Sequence, residues 1–503
     1  MQHLQHAIVK VLLCLTSLCL TSLGLTSLSA EPLSPQDESM VWRRLAGREA
    51  GGDFWEDGLL ELAPEPRSPA DRRELALADH GRLALRSPRH HLFLDNRVAL
   101  ALRIEDDQDF PLDRRNNLGL LPADPHPFHE RFGGLPLAAR GDHVLVRTRH
   151  ELSIGEHLDV RVEPRLLTAS PGTHAADFTA LYLRASLLGI ALKVGIFELA
   201  LGPEPAGGLI ASTNAPPLPG LLLTSRSDLP LLHSALGRFK AGYTLRRLGA
   251  SYTNPEAFWS LAFFCYQPWR GFALSLRHGV LFAGENDPRP TPLEAAREIL
   301  GFIPMISQTA VQNSNKVLEL GARLHPPLPF APMLFFTMGL DDLTKRALRI
   351  NLFDNAAYTG GFSLFTTRST FSVTAHRLFS RFYRHNSYPY AYRQAILGLP
   401  EGPDSMQLRS ALELDLAPGE RITGALRYLR RNNADYRFLL DHVEQLTSGV
   451  PARAYLLEGS YGHELRGGLV LTGRGGLGLE LDHGHIEGST ALLFTLTTEL
   501  SAW

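Results

Sequence analysis

The chain has 503 residues, of which 44% are hydrophobic, 9% aromatic and 20% charged, and its 50 basic and 52 acidic residues give a formal net charge of −2. This balance excludes a protein that binds nucleic acid through bulk positive charge, and the apolar content is too high for an acidic disordered chain. The length permits more than one domain, although a long β-barrel can form a single unit.

The first segment, residues 1–30, has the features of a secretory signal peptide. Lys10 supplies the positive start, and Val11–Leu25 is an apolar stretch without charge. The alternative is an N-terminal membrane anchor. Removal of the segment would leave Cys265 without a cysteine partner, so we expect an exported protein with no intrachain disulfide.

Residues 31–90 predict a small helical element. Ser34 and Ser68 are each followed by a proline and, three residues on, by an aspartate, which is the pattern of a helix N-terminus. We expect this element to fold against or into the periplasmic mouth of a barrel formed by the later residues. The alternative is a poorly ordered tail.

Residues 91–503 alternate between hydrophobic and polar side chains with period two. In Arg97–Glu105 the aliphatic residues share one face and the charged residues the other, and the pattern recurs in Leu158–Glu163 and Leu412–Leu416. Alternation of this kind is what a half-buried antiparallel strand requires. The sequence therefore predicts an all-β fold.

Two all-β architectures fit this pattern, a soluble sandwich and a transmembrane antiparallel β-barrel. Two features favour an outer-membrane barrel of a Gram-negative-type cell: the export signal, and hairpins joined alternately by short and long loops. We expect this barrel to have roughly 16 to 20 strands. A transmembrane helix is not expected, because even the apolar stretch Leu181–Leu201 contains arginine, lysine and glutamate. The prolines of Leu201–Gly237 fit a loop or constriction better than a strand.

The segment Leu199–Pro217 is the most distinctive part of the chain. Its Gly202-Pro203 pair, followed by Ser212-Thr213-Asn214-Ala215-Pro216, resembles the segment of capsule-assembly Wzi-like outer-membrane proteins in which a glycine-proline motif precedes an apolar-Ser-x-Asn-Ala-Pro run. Leu281–Asn286 and the Asp341-Asp342 pair agree with this resemblance. The resemblance implies a barrel of about 18 strands, plugged by N-terminal helices. It also implies a lectin that attaches capsular polysaccharide to the cell surface without catalysis.

The motif also has a physical interpretation of its own. Ser212 and Asn214 can hydrogen-bond neighbouring backbone, and glycines and prolines favour an irregular folded segment. A structural device that closes the lumen or shapes its rim is the favoured role, and direct sugar contact is the alternative. The motif residues concerned are Gly202, Pro203, Ser212, Asn214 and Pro216.

The long connection Phe382–Met406, which strand parity places outside the cell, is the predicted polysaccharide-binding region. Sugar recognition uses flat aromatic faces and planar hydrogen-bond donors. The candidate residues are Tyr383, Arg384, Tyr388, Tyr390, Tyr392 and Arg393. The alternative is an aromatic girdle at the membrane interface, which is also the favoured role for Trp269 and Arg270.

No metal or other cofactor is expected. The histidine-containing groups lack helical ligand spacing and supporting cysteines. These groups are His126 with His129, and Asp482, His483, His485 and Glu487. The chain has no nucleophile elbow and no phosphate loop, so an enzyme is not predicted, although a hydrolase site assembled at a barrel rim stays open.

The sequence thus favours a non-catalytic, polysaccharide-binding outer-membrane barrel, with a porin or saccharide channel as the alternative. The expected partners are capsular or other surface polysaccharide, outer-membrane lipid and lipopolysaccharide, and the barrel-assembly machinery during biogenesis. Nucleic acid is not an expected partner.

Overall fold

A computed structural model gives the fold. It describes most residues between 143 and 464, with short gaps and two longer ones at 301–313 and 342–355, together with residues 92–104, 470–482, 485–487 and 494–501. The predicted signal peptide at 1–30 and the predicted helical element at 31–90 lie outside the described residues. They and the barrel boundary at residue 91 stay predictions.

The described residues are mostly in β-strands, as the period-two pattern predicts. In chain order the strands are β1 (Leu92–Ile104), β2 (His143–Ile154), β3 (Leu158–Ala169), β4 (Thr173–Leu187), β5 (Ile190–Phe197), β6 (Leu218–Ser225), β7 (Leu229–Pro230), β8 (Arg238–Arg247), β9 (Phe258–Trp269), β10 (Phe272–Phe282), β11 (Asn315–Leu324), β12 (Met333–Asp341), β13 (Ala356–Phe365), β14 (Ser369–Leu378), β15 (Ala391–Tyr392), β16 (Ala395–Ile396), β17 (Ser405–Ala417), β18 (Glu420–Arg431), β19 (Tyr436–Phe438), β20 (Val443–Gln445), β21 (Ala452–Glu464), β22 (Val470–Asp482), β23 (His485–Glu487) and β24 (Phe494–Ser501).

Twenty of these strands form one sheet, in which most strands that follow each other along the chain pair antiparallel, while β6 pairs with β8 and β22 with β24. The others form two separate hairpins, β15 with β16 and β19 with β20. At the ends of the sheet, β1 pairs with β2 on one side and with β24 on the other, and β22 pairs with β24. The all-β, antiparallel part of the predicted fold class is confirmed.

Short and long connections alternate along this sheet. The turn at residues 418–419 joins β17 to β18, and residues 188–189 join β4 to β5. Because each antiparallel strand reverses direction, the connections that follow every second strand lie at the same end. The long connections described at that end are 198–217 after β5, 248–257 after β8, 283–314 after β10 and 379–404 after β14.

The two faces of the sheet have opposite character. On β11 the side chains of Leu320 and Leu324 are each 41% exposed, whereas Glu319 is 0% and Arg323 7% exposed. The same inversion occurs along β12, where Phe336 is exposed and Thr337 is buried. A soluble sandwich buries its apolar face. This sheet instead buries polar residues and exposes apolar ones, which is the pattern of a transmembrane barrel wall.

The prediction that Leu201–Gly237 contains no strand is wrong in part, because β6 and β7 lie within it. Pro219 sits in β6 opposite Ile196 of β5, but the pairing of β6 with β8 begins only at Gly220. The missing N–H of the proline therefore falls where the ladder to β8 has not started, which is a position that tolerates proline.

The described part of the chain has one named helix, α1 (Pro292–Leu300), within the connection between β10 and β11. Its first turn is closed by a capping box, in which the Thr291 N–H donates to the Glu294 carboxylate at 2.7 Å and the Glu294 N–H donates to Oγ1 of Thr291 at 3.3 Å. Within the described ranges, no helix is both long enough and apolar enough to span a membrane.

Candidate functional site

The long connections at one end of the sheet share an apolar core. Buried residues of 198–217, 248–257 and 379–404 form one cluster with strand residues that include Trp259. We call the connection residues of this cluster the loop core. They include Leu199, Leu209, Ile210, Leu248, Tyr252, Phe382, Tyr383, Tyr388, Tyr390, Tyr392, Ile396 and Leu397.

Two glycines let the loop core approach the inward, polar-lined face of the sheet. A Cβ atom at Gly339 of β12 would lie 2.8 Å from the ring of Phe382 and 3.0 Å from Leu209. A Cβ atom at Gly279 of β10 would lie 2.8 Å from the hydroxyl of Tyr390. Real Cβ atoms essentially never come as close as 2.8 Å to such neighbours, so neither position accepts a side chain without movement. The loop core therefore lies directly against the inward face, a few residues below the strand ends.

A buried ion pair on the inward face holds the 198–217 connection. Arg277 of β10 pairs with Oε1 of Glu319 of β11, and both side chains are almost fully buried. The other carboxylate oxygen, Oε2, accepts the backbone N–H of Ile210 at 3.0 Å. Because a buried carboxylate needs its hydrogen bonds satisfied, this arrangement fixes the position of the connection as well as the charge.

The predicted motif residues join the 198–217 connection to the 379–404 connection. The hydroxyl of Ser212 donates to the carbonyl of Gly398 and accepts the Asn214 N–H at 3.1 Å. The Asn214 amide nitrogen donates to the carbonyl of Ile396 at 2.7 Å. These contacts are the expected side-chain bonds to backbone, and they join two connections that lie far apart in sequence. Gly202 and Pro216 are buried, and Pro203 lies outside the described residues.

Tyr383 is fixed at the centre of the loop core. Its backbone N–H donates to Oδ2 of Asp341 at 2.6 Å. Its hydroxyl donates to the carbonyl of Leu209 and accepts the Leu399 N–H at 3.1 Å. Its φ of 72° lies in the left-handed region, which a bulky residue adopts only where surrounding contacts hold it.

Tyr390 lies beside Tyr383 and contacts the barrel wall. The two rings are stacked, with centroids 5.3 Å apart and planes 12° apart. The indole N–H of Trp259 in β9 donates to the hydroxyl of Tyr390 at 3.1 Å. Burial raises the pKa of both tyrosines well above the usual value, so both stay neutral hydroxyl groups.

Tyr388 is the hydrogen-bond centre of a second group nearer the outer surface. Its hydroxyl donates to Oδ2 of Asp287 and accepts the Gly284 N–H at 2.8 Å. The Asn254 amide nitrogen donates to the same Asp287 oxygen at 2.8 Å, and the Asn286 N–H donates to Oδ1 of Asn254 at 3.0 Å. The predicted segment Leu281–Asn286 is thereby held to the 248–257 and 379–404 connections.

The four described tyrosines of the predicted binding region are therefore interior residues in this structure. Tyr383, Tyr388 and Tyr390 are 0% exposed and Tyr392 is 5% exposed, so their ring faces are not open to a saccharide. Apolar packing between two connections buries these rings. Arg384 and Arg393 lie outside the described residues. Polysaccharide binding by this region stays a prediction.

Exposed polar residues lie in two of the connections that are joined through the hydrogen bonds around Tyr388. We call this set the rim, and its described members are Ser251, Thr253, Glu285, Asn286 and Arg289. They come from the 248–257 and 283–314 connections, which the Tyr388 group holds in place. A surface of hydroxyl, amide, carboxylate and guanidinium groups suits saccharide hydroxyls and acidic groups.

Trp269 lies away from the rim, next to the short turn that joins β9 to β10. Its side chain is 60% exposed and stacks on Phe272 with ring centroids 4.8 Å apart. A position at the opposite end of the strands from the loop core fits the girdle role, and Arg270 lies outside the described residues.

The described residues contain no group of three or more histidine, cysteine, aspartate or glutamate side chains that could hold a metal ion. Of the histidine groups considered in the sequence, His126, His129 and His483 lie outside the described residues.

Sequence reasoning missed the wall residues that hold the loop core. Glu319 and Arg277 occupy inward positions of their strands, so the period-two pattern predicts which face they lie on. It does not predict that the two residues pair across neighbouring strands. Asn254 and Asp287 lie in connections without a pattern, and no signal in the sequence identifies them. Asp341 was noted as half of an acidic pair, without its contact to Tyr383.

Comparison with solved structures shows the same fold in a bacterial outer-membrane protein. The Escherichia coli protein Wzi, described as an outer-membrane, carbohydrate-binding β-barrel involved in group 1 capsule assembly, superposes with a TM-score of 0.64 at 13% identity, over 92% of this chain and 98% of that chain. Acinetobacter baumannii OccAB2 gives a TM-score of 0.48 at 9% identity, over 82% and 98% of the two chains. Pseudomonas aeruginosa OccD3 gives 0.47 at 9% identity, over 81% and 91%.

Comparison with curated proteins found no match. Comparison with family models found a match to the family described as capsule assembly protein Wzi. The matched region, residues 138–333, contains the Ser212–Asn214 motif, the rim, Arg277 and Glu319. This match confirms the sequence-based resemblance to the Wzi capsule-assembly family over residues 138–333, and the structural neighbour shows the same fold.

Proposed function

We propose that this protein is a non-catalytic outer-membrane β-barrel that binds capsular or other surface polysaccharide at its outer rim and so attaches it to the cell surface. The observation that carries the proposal is the loop core, which is fixed against the inward face of the wall and supports an exposed polar rim. The family match gives the expected class of ligand.

The membrane location is supported by the inverted faces of the sheet. Exposed Leu320 and Phe336 next to buried Glu319 and Thr337 suit a wall with lipid on one side and a polar interior on the other. We further propose a closed ring of about 18 strands, which are the strands of the sheet without the two-residue β7 and the three-residue β23. The pairing of β1 with β24 supports closure, because a closed sheet leaves no unpaired backbone edge in lipid.

Attachment rather than passage is supported by the way the loop core is built. A channel needs a continuous water path, whereas here aromatic and aliphatic side chains fill the space beside Gly279 and Gly339. The anchors are buried hydrogen bonds, from Ile210 to Glu319 and from Tyr383 to Asp341. Such contacts are costly to break, so the connections are expected to stay in the mouth.

We propose separate roles for the residues predicted to bind polysaccharide. Tyr383, Tyr388, Tyr390 and Tyr392 build the support beneath the rim. Arg384 and Arg393, which flank the first and last of these tyrosines, are proposed to contact the polysaccharide together with the rim. Arginine suits this role because its planar guanidinium pairs with carboxylates and hydroxyls in two-point geometry.

The direct test is binding of purified capsular polysaccharide to the folded protein in detergent. Saturable binding by the wild-type protein, weakened by the double change Asn286→Ala with Arg289→Ala, is the expected result. Arg421→Ala is a matched control, because Arg421 is an exposed arginine near the short turn at the opposite end of the wall. Equal binding by the rim variant and the control would remove the rim from the proposal, and no binding at all would contradict the function.

A further inference from the structure

Helix α1 lies on the outside of the wall, unlike the loop core. The ammonium group of Lys316 in β11 pairs with Glu298 of α1 at 2.7 Å. His278 of β10 hydrogen-bonds the backbone of Ile299 in the same helix. In strand register, Lys316 and His278 share the face of exposed Leu320 and Leu274, which is opposite to the face that carries Glu319 and Arg277.

The helix covers a part of the outward face whose residues are buried, whereas apolar residues further down this face, such as Leu320, are exposed. His278 is 4% exposed and its outward neighbour Val280 is 0% exposed, although Leu274, further down the same strand, is 41% exposed. Glu298 is itself buried and also accepts the hydroxyl of Ser314 at 2.9 Å. The helix thus provides an ion-pair partner and a hydrogen-bond partner to two polar side chains that point away from the lumen.

The distance of these contacts from the outer end of the strands indicates which part of the membrane surrounds the helix. His278 is the fifth residue from the outer end of β10, which is within about 13 Å of that end at the usual rise per strand residue. A lysine that faces lipid is strongly destabilising at the bilayer centre and much less so near the interface. Polar wall residues covered by a helix are therefore suited to the interfacial level of the outer leaflet.

The side of α1 that faces away from the wall has an apolar residue. Leu293 is 61% exposed. It lies five positions before Glu298, so on an α-helix of 3.6 residues per turn the two point about 140° apart. Leu293 therefore points away from the wall to which Glu298 is bound.

We infer that α1 is a membrane-contact element, which lies along the outer leaflet on the outside of the wall and inserts Leu293 among the lipids. Helices of this kind place their apolar side about 5–10 Å into the boundary between headgroups and acyl chains. The inference rests on the proposed membrane location of the wall. It adds a second anchoring element, on the outer face near the rim, that would fix the level of the rim above the bilayer.

Fluorescent labels at single cysteines test this inference in vesicles of phosphatidylethanolamine and phosphatidylglycerol. The background is Cys265→Ala, since Cys265 is a buried cysteine that forms no disulfide and the other two cysteines lie in the predicted signal peptide. The labelled variants are Leu293→Cys on α1, Phe336→Cys on the outward face of β12 as the lipid reference, and Asn286→Cys on the rim as the water reference. Each label is measured with iodide in water and with nitroxide quenchers placed at shallow or deep positions in the lipid.

The expected result is loss of fluorescence at position 293 with the shallow lipid quencher and weaker quenching by iodide than at position 286. Quenching by iodide equal to that at 286, with no loss from lipid quenchers, would overturn the inference. Protection of position 293 from both kinds of quencher would also overturn it, because a protein partner such as a second copy would then cover the helix. Failure of position 336 to respond to lipid would instead contradict the proposed membrane wall.

Discussion

The backbone N–H of Ile210 donates a 3.0 Å hydrogen bond to the carboxylate of Glu319, which joins an irregular connection to the inward face of the wall. The same carboxylate pairs with Arg277. One buried glutamate thus links the motif segment to strands β10 and β11.

Loss of this carboxylate should loosen the loop core. Glu319→Ala leaves Arg277 buried without its charge partner, which typically costs about 3–5 kcal/mol. We expect a lower free energy of unfolding in guanidinium chloride and faster proteolysis within residues 198–217. Glu319→Gln, which keeps an acceptor for Ile210, should have a smaller effect, and Glu285→Ala on the exposed rim should have little. A wild-type proteolysis rate in Glu319→Ala would contradict the anchoring role.

Two glycine-to-alanine substitutions compare the effect of a methyl group at a crowded position with its effect at an open one. A Cβ at Gly398 would lie 2.1 Å from the carbonyl oxygen of Leu209, whereas a Cβ at Gly424 of β18 meets nothing within 4 Å. Gly398→Ala should therefore displace the 379–404 connection, at a cost of about 1–3 kcal/mol for overpacking. Gly424→Ala should unfold like the wild type. Equal stability of the two variants would show that Leu209 does not lie against Gly398.

Much of the wall could be predicted from the sequence, because alternation with period two is a local signal. Leu412–Leu416 and the turn at Pro418-Gly419 match β17, β18 and the short connection between them. β6 was missed because the effect of Pro219 depends on where the pairing with β8 begins, which is a tertiary property.

The loop core was less predictable. Strand parity and the suitability of flat aromatic faces for sugar rings make the tyrosines of 379–404 candidates for polysaccharide binding, but these two signals do not indicate burial. Their burial arises from contacts with Leu209, Ile210 and Trp259, which lie far away in sequence. The role of Ser212 and Asn214 as backbone partners was predictable from their chemistry, but their partners Gly398 and Ile396 were not.

The hydrogen bonds of the motif should have a local effect on stability. Asn214→Ala leaves the buried carbonyl of Ile396 without the amide donor, and Ser212→Ala does the same at Gly398, at about 1–3 kcal/mol each. Hydrogen exchange followed by mass spectrometry should show faster exchange in residues 395–399 in both variants. Thr253→Ala on the rim serves as the control. Unchanged exchange at 395–399 would mean that the motif does not hold this connection.

Acid should weaken the 379–404 connection through His385. Burial lowers the pKa of His385 from the usual 6.5, and its Nδ1 accepts the Tyr388 N–H at 3.0 Å, which requires an unprotonated nitrogen. Asp287 opposes this shift. Because the folded-state pKa lies below the unfolded value, the stabilisation is complete above pH 6.5 and is lost as the pH falls towards the lowered pKa.

Proteolysis within residues 379–404 should consequently be faster at about pH 5 than at about pH 7.5, the range in which histidine titrates. His385→Asn keeps a possible acceptor but does not titrate, so its proteolysis rate should change less between these conditions. A pH dependence identical in the wild type and in His385→Asn would assign the effect to another group.

The filled mouth predicts low conductance. The purified wild-type protein in a planar bilayer should form no large steady channels, and Glu319→Ala should show more frequent openings because its loop core is less firmly held. Large steady channels from the wild-type protein would favour a porin or saccharide channel over an attachment protein.

Attachment of polysaccharide at the cell surface is tested most directly by the ratio of cell-bound to released capsular polysaccharide in an encapsulated strain that lacks this protein. If the protein attaches polysaccharide, we expect this strain to make the same total polysaccharide and to release a larger fraction of it. The wild-type protein should restore retention. The Asn286→Ala and Arg289→Ala double variant, produced at the same level in the outer membrane, should restore it less. A deletion strain that keeps all its capsule on the cell would contradict the proposed attachment of polysaccharide by this protein.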